Sequence, residues 1–204
     1  MKSTRIIIFA KVPQSGFAKT RLIPALGAER AAELATKMLF NTLHEALASD
    51  IGTVELCVTP EINQAAWQGI RLPPGIEICN QGEGDLGARL ARASERALEA
   101  ADSILLIGTD CVEMSGGLLR AAALALQEHD AFIHCTVDGG YALLGFRRFH
   151  QSLFSDMPWS TDAVAKTTIA RIEQLGWSFR SGQMLHDVDE PEDLKYLPDQ
   201  WKFK

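Results

Sequence analysis

The chain lacks any C-x-x-C pair and any surplus of positive charge. It also lacks an apolar run approaching the roughly 18 residues that cross a bilayer. Its four cysteines are Cys57, Cys79, Cys111 and Cys135. Their spacing suits neither a zinc site nor a thioredoxin motif. Cys57 and Cys79 lie in apolar runs and read as buried free thiols that behave as small hydrophobes. Cys111 stands apart because it follows Asp110. A formal charge of −6 argues against general nucleic-acid binding, which needs a basic surface. The run Ile6 to Ala10 is too short for a signal-peptide core, and Lys11 interrupts it. A cytoplasmic protein with no membrane span is therefore expected. No long linker, internal repeat or low-complexity tract divides the sequence.

Common nucleotide and nucleophile motifs are missing as well. The P-loop pattern fails because Ala18 precedes Lys19 and Pro13 stands where the first glycine belongs. There is no G-x-G-x-x-G and no G-x-S-x-G elbow. The histidines at 44, 129, 134, 150 and 186 have neither metal-binding helical spacing nor an evident nucleophile partner. They read as structural or exposed.

What is present is an alternation of strands and helices over 204 residues, enough for one sizeable domain with its own core. Apolar runs predict strands over 5–10, 54–59, 76–79, 103–107, 130–136, 141–145 and 184–188. Ala31, Leu34, Ala35, Met38, Leu39, Thr42, Leu43, Ala46 and Leu47 recur at helical spacing and predict a helix over 28–48. Further helices are expected over 61–69, 86–101, 115–128, 161–175 and 191–197, with Thr161 as an N-cap. This order implies βαβ units and a three-layer α/β/α sandwich with a mostly parallel sheet. The strands flanking Gly139 and Gly140 add an antiparallel element.

Candidate chemistry gathers at the loops. The segment from Lys11 to Leu22 follows a buried strand and carries Lys11, Lys19 and Arg21, with Gly16 allowing close backbone approach. Such a loop suits phosphate, and a solvated basic loop is the bland alternative. Leu105-Leu106-Ile107-Gly108-Thr109-Asp110 ends an apolar strand in a carboxylate at the sheet edge where ligands bind in open α/β folds. Asp110 there could hold Mg²⁺ or Mn²⁺, or cap the following helix. In His186-Asp187-Val188-Asp189, alternation puts both aspartates on one face of a short strand, where a cation or donors must compensate them. Asp187 is the metal candidate and Asp189 its support, with Asp189 or Glu190 also able to cap the helix at Pro191. Asp138-Gly139-Gly140-Tyr141 forms a turn, either a plain hairpin or a close approach to ligand. Backbone amides near Asp85 could hold an anion or a base edge, with Arg89 one turn in. Trp159 could stack on a sugar or base, or close the rim of the core.

Six motifs occur in order. They are Lys11-x-Pro13-x-x-Gly16-x-x-Lys19-Thr20-Arg21-Leu22, Gly84-Asp85-Leu86-Gly87-x-Arg89, Gly108-Thr109-Asp110-Cys111, Asp138-Gly139-Gly140-Tyr141, Pro158-Trp159-Ser160-Thr161 and Asp187-Val188-Asp189. Together they resemble a bacterial family of glycosyltransferase-like proteins of the nucleotide-diphospho-sugar transferase-like, selenium-domain-associated type. The resemblance spans nearly the whole chain. It implies the GT-A fold for residues 1–204 as a single nucleotide-binding transferase domain. It implies that Lys11, Pro13, Gly16, Lys19, Thr20 and Arg21 surround the nucleotide phosphates, with Asp85 and Arg89 nearby. It further implies metal ligation by Asp110 and Asp187. Asp138, Gly139, Gly140, Tyr141, Trp159, Ser160 and Thr161 would face the acceptor. The family's usual Asp-Cys-Pro is here Asp110-Cys111-Val112, and Glu113 adds a carboxylate beside the site.

The expected activity is a Mg²⁺- or Mn²⁺-dependent transfer from a nucleotide-diphospho-sugar to a small-molecule acceptor, with Asp110, Lys19 and Arg21 catalytic. Nucleotidyl transfer from an NTP with release of pyrophosphate is the alternative, since a lone strand aspartate replaces D-x-D. A non-catalytic nucleotide-binding module is the third reading. A homo-oligomer stays open.

Overall fold

The computed structural model describes residues 3–202. Seven strands form one sheet in the order β3-β2-β1-β4-β6-β5-β7. They are β1 (Thr4–Lys11), β2 (Val54–Thr59), β3 (Ile76–Asn80), β4 (Ser103–Ile107), β5 (Ala131–Cys135), β6 (Tyr141–Phe146) and β7 (Phe179–Ser181). Pairings are parallel except those of β6 with β4 and β5, so β6 alone runs against the rest. The central strands are apolar on both faces: Ile6, Ile7 and Ile8 of β1 and Ile104, Leu105 and Leu106 of β4 are all buried. That pattern belongs to strands covered above and below.

The covering helices are α1 (Ile23–Leu26), α2 (Ala28–Ser49), α3 (Leu86–Leu98), α4 (Gly116–Ala125) and α5 (Val164–Gln174). Leu39, Leu43 and Ala46 of α2 and Leu119 and Ala122 of α4 pack with Ile6, Ile8 and Leu56 on one face. Leu90, Ala93 and Ala97 of α3 and Ile172 of α5 pack with Ile7, Leu106 and Leu144 on the other. The result is the three-layer α/β/α sandwich with a mixed, mostly parallel sheet. Among the described residues no helix is long and apolar enough to cross a membrane.

Several local expectations need correction. The last strand is β7 at Phe179–Ser181, and residues 184–188 contribute only a bridge between Leu185 and Thr136. Beyond Leu185 the chain leaves β5, because the Val188 amide donates to the Asp110 carbonyl and the His186 amide to Glu113. The helix expected over 61–69 is a single 3-10 turn at Ala65–Trp67, and the one expected over 191–197 is a 3-10 stretch at Pro191–Tyr196. Thr161 does not cap α5, which begins after Ala163. The Thr161 hydroxyl instead donates to the Pro158 carbonyl and accepts from the Ala163 amide. The helices expected over 86–101 and 115–128 form, but α3 stops at Leu98 and α4 at Ala125, each about three residues early.

Candidate active site

At the C-terminal ends of β1 and β4 lies a cavity of about 870 Å³. Position follows from topology: parallel strands on either side of β1 end their hydrogen-bond ladders there, and the connecting loops must splay over the edge. Lys11, Lys19, Thr20 and Arg21 line one part of it, and Asp110, Asp138, Asp187 and Asp189 another. Gly140, Tyr141, Trp159, Ser160 and Thr161 complete the wall on the β6 side. Loops from five separate sequence regions thus meet at one opening. Pro13, Gly16, Asp85, Arg89 and Gly139 do not line the cavity among the residues described.

The basic loop is built around an inward lysine. Gln14 receives the amides of Phe17 and Ala18, Gly16 takes φ +81°, and Lys19 itself sits in the left-handed region at φ 48°. For a side-chain-bearing residue that conformation costs about 1–2 kcal/mol. It directs the Lys19 ammonium to a buried position where it donates to the Asp110 carboxylate, to Asp189 Oδ1 at 2.7 Å and to the Val188 carbonyl at 2.7 Å. Burial works to lower the Lys19 pKa, and Asp110 and Asp189 outweigh it and hold the pKa above its ordinary value. Lys19 is therefore a fixed cation, and its three bonds offset the backbone strain. Arg21 is more open and pairs with Glu190 at 3.2 Å.

Asp187 is the carboxylate that this lysine does not satisfy. Burial, then the charges of Asp110, Asp138 and Asp189, push its pKa up to about 8, and Lys19 only partly opposes them. Asp138 is oriented by its own turn: its Oδ1 accepts from the Thr136 hydroxyl at 2.5 Å and from the Gly140 amide at 3.0 Å. Gly139 is held at φ +91°, and a Cβ there would lie 2.2 Å from the Asp162 carbonyl oxygen, so the turn can pack on the next loop only as glycine.

Asp85, Arg89 and several neighbours of the site have partners within the protein. Asp85 caps α3, its Oδ1 accepting from the Ala88 amide at 2.8 Å. Arg89 donates to the Gly84 carbonyl and reaches Gln81 Oε1 at 3.5 Å. Glu190, not Asp189, is the N-cap of the stretch at Pro191, in a capping box with Asp193. Glu113 accepts from the His186 amide and lies 3.1 Å from its Nδ1. The His186 ring stacks on Tyr196 with centroids 3.8 Å apart. Cys111 is buried, and its thiol is pushed up to about 12 by burial and the nearby Asp187, which makes it a poor nucleophile.

Several cavity residues escaped the sequence reading. Gln81 is buried and donates through Nε2 to the carbonyls of Ala10 and Cys57, locking the ends of β1 and β2. Phe17, Leu86 and Val137 are exposed apolar side chains on the cavity wall. Large hydrophobes left open at a cavity were the available signal, but exposure is not readable from a loop sequence.

The fold is that of nucleotide-using α/β transferases. The chain belongs to DUF2064, a family described as uncharacterized proteins conserved in bacteria, whose model matches residues 42–161. A protein from Desulfovibrio desulfuricans G20, provisionally designated a nucleotide-diphospho-sugar transferase, superposes with a TM-score of 0.86 at 28% identity. That alignment covers 93% of this chain and 84% of the other. Rv0371c from Mycobacterium tuberculosis H37Rv, solved with manganese, superposes at 0.58 and 17% identity over 97% and 98% of the two chains. A cytidylyltransferase from Leptospira borgpetersenii gives 0.58 at 15% identity over 99% and 90%. At such identities the last two show the fold alone. No curated protein matches the chain in sequence.

Proposed function

We propose that the protein is a divalent-cation-dependent transferase that takes a nucleotide-diphospho-sugar as donor and a small molecule as acceptor. The observation that carries this is the charge arrangement of the cavity: Lys11, Lys19 and Arg21 share it with four aspartates, of which Asp110 and Asp189 pair with Lys19 while Asp138 and Asp187 have no ion pair among the described residues. A diphosphate needs the first set and a hard cation the second. The donor set fits Mg²⁺ or Mn²⁺, because both ions accept one or two carboxylates and complete their shells with water and phosphate oxygens. Asp110 and Asp187 would hold the ion, which when bound supplies charge neutralisation to the leaving diphosphate.

This chain's own residues do the rest. Lys11 and Arg21, exposed at the mouth, meet the phosphates first. Lys19 fixes the distance between the basic loop and the end of β4 through its bond to Asp110. Asp138, held rigid by Thr136 and Gly140, presents its free oxygen to an acceptor hydroxyl on the β6 side. The name of the Desulfovibrio relative supports a sugar nucleotide as donor.

A second reading, nucleotidyl transfer from an NTP, is favoured by one feature: a single aspartate, Asp110, terminates β4. Thermal shifts with UDP, GDP, UDP-glucose, GDP-mannose and each NTP, with Mn²⁺ and with a chelator, separate the two. A ligand at about 100 times its Kd adds roughly 2.7 kcal/mol of stability. Metal-dependent stabilisation by one sugar nucleotide supports glycosyl transfer, and preference for one NTP supports the second reading. No shift with any of them overturns both.

A further inference from the structure

Another cluster lies under the sheet edge, and none of its residues lines the cavity. Cys57 and Cys79 are register partners on the parallel strands β2 and β3, so their side chains leave the sheet on the same face. Glu55 precedes Cys57 by two residues and shares that face. The Cys79 and Cys57 sulfurs are 3.1 Å apart, and Cys79 Sγ donates to Glu55 Oε1 at 2.9 Å. Among the described residues, these three bring their ligating atoms within 4.8 Å of one another.

We propose that Cys57, Cys79 and Glu55 form a binding site for one thiophilic divalent cation of the Zn²⁺ or Cd²⁺ type. Zinc–sulfur bonds of about 2.3 Å and zinc–oxygen bonds near 2.0–2.2 Å fit this set, with the sulfurs opening slightly from their present contact. In the metal-free cluster the S–H of Cys79 occupies the lone pair of Glu55 that a cation would take. On binding, two S–H bonds break, two metal–sulfur bonds form and two protons leave to solvent. The dication replaces two protons, so the net charge of the cluster does not change.

That balance answers the obvious objection, the two guanidiniums at the same carboxylate. Arg5 Nη1 binds Glu55 Oε2 at 2.9 Å, and Arg96 Nη1 and Nη2 bind both oxygens at 2.9 and 2.5 Å. Arg96 Nη2 also lies 3.4 Å from Cys79 Sγ, where it can donate to a thiolate. The arginines thus support the anionic sulfur that the cation requires. Entry is open: β3 is the edge strand, Cys79 is half-buried and the Arg96 side chain is 45% exposed.

The test is a Cd²⁺ titration of the reduced full-length protein, followed by thiolate-to-cadmium charge-transfer absorption in the ultraviolet. Carboxylate sites such as the cavity give no such band, so the readout is independent of the transferase reading. The expected result is a band that saturates at one equivalent and is erased by excess Zn²⁺. It should be lost in Cys57→Ser and Cys79→Ser and retained in Cys111→Ser and Cys135→Ser. Cys79→Ser alters a half-buried position, and an unchanged circular dichroism spectrum establishes that it folds. A band that persists in folded Cys79→Ser, or no band in the folded wild type, overturns the proposal.

Discussion

Glu55 and Asp187 are both carboxylates drawn out of bulk water, and the protein treats them in opposite ways. Glu55 sits near the start of β2 with its side chain 1% exposed. Burial alone would raise its pKa, but Arg96, the Cys79 S–H and Arg5 reverse this and hold it below the ordinary carboxylate range. Arg5 also takes Glu77 at 2.7 Å, so two cations meet two anions and the group is balanced as it stands. Asp187 shares its neighbourhood with Asp110, Asp138 and Asp189, and one buried lysine serves them. Its pKa moves up instead of down. Charge balance within the fold marks the first cluster as a stabiliser of the sheet edge. The second cluster keeps an excess of negative charge, which the proposed cation would relieve.

The largest expected effect comes from unbalancing the balanced site. Glu55→Ala leaves the Arg5 and Arg96 guanidiniums without their shared acceptor. Breaking a buried pair from one side costs about 3–5 kcal/mol, and the exposure of Arg96 places this case at the low end. Urea unfolding measures it. A loss under about 1 kcal/mol, the range of surface pairs, would dissolve the contrast between the two clusters.

Next in size, Asp110→Ala should abolish metal-dependent turnover and metal-dependent stabilisation by nucleotides while the fold survives. Survival is expected because Lys19 keeps Asp189 and the Val188 carbonyl. Turnover that persists in this variant would remove Asp110 from the metal site.

Which parts of this contrast the sequence reveals depends on the range of the interactions. Ile6 to Ala10 and Leu105 to Ile107 are short continuous apolar runs, each followed by a Pro- or Gly-containing loop, the pattern of strands covered on both faces; the placement of Asp110 at a sheet edge follows. The convergence of the basic loop with Asp110 and Asp187 is likewise implied by the order of strands and loops. The role of Lys19 is not. It holds carboxylates 91 and 170 residues away, and no local pattern encodes that. Glu55 reads as an interruption in an apolar strand, because its partners Arg5 and Arg96 lie 50 and 41 residues distant. The strand expected over 184–188 failed for a related reason. Alternation of His186, Asp187, Val188 and Asp189 mimics a half-buried strand, but the His186 amide donates to Glu113, that of Val188 to the Asp110 carbonyl and that of Asp189 to Asp193.

The two carboxylates also respond to pH in opposite directions. With its folded pKa near 8 and an ordinary value of 3.8, Asp187 binds more protons in the folded state than in the unfolded one between those limits. Its contribution to stability is present below about pH 4 and is lost as pH rises towards 8. Subtracting the melting curve of Asp187→Asn, measured in chelator, from that of the wild type should leave a difference that falls across this window. Mn²⁺, which favours the ionised carboxylate, should flatten it. Glu55 contributes with the opposite sign, its stabilisation being lost only in acid. A flat difference in chelator would mean that Asp187 is already compensated and that the cavity carries no deficit of positive charge.

The smallest effect on stability is expected at Arg21, and that makes it the sharpest probe of function. Its side chain is 60% exposed, and its partner Glu190 is 49% exposed. An exposed pair of this kind contributes about 0–1 kcal/mol, so Arg21→Ala should melt within a degree or two of the wild type. Yet Arg21 lines the cavity beside Lys19, and unlike Lys19 it is free to turn from a surface carboxylate to a phosphate. Charge-assisted bonds to phosphate contribute more than exposed ion pairs in water. The nucleotide-dependent thermal shift should therefore fall clearly in Arg21→Ala while the unliganded protein is nearly unchanged. Arg21→Lys should restore part of the shift, since charge is kept and the two-pronged geometry is lost. If Arg21→Ala instead lowers stability by more than about 1 kcal/mol and leaves the shift intact, Arg21 belongs with Arg5 and Arg96 as part of the scaffold. The basic loop would then have to hold phosphate through Lys11 and Lys19 alone.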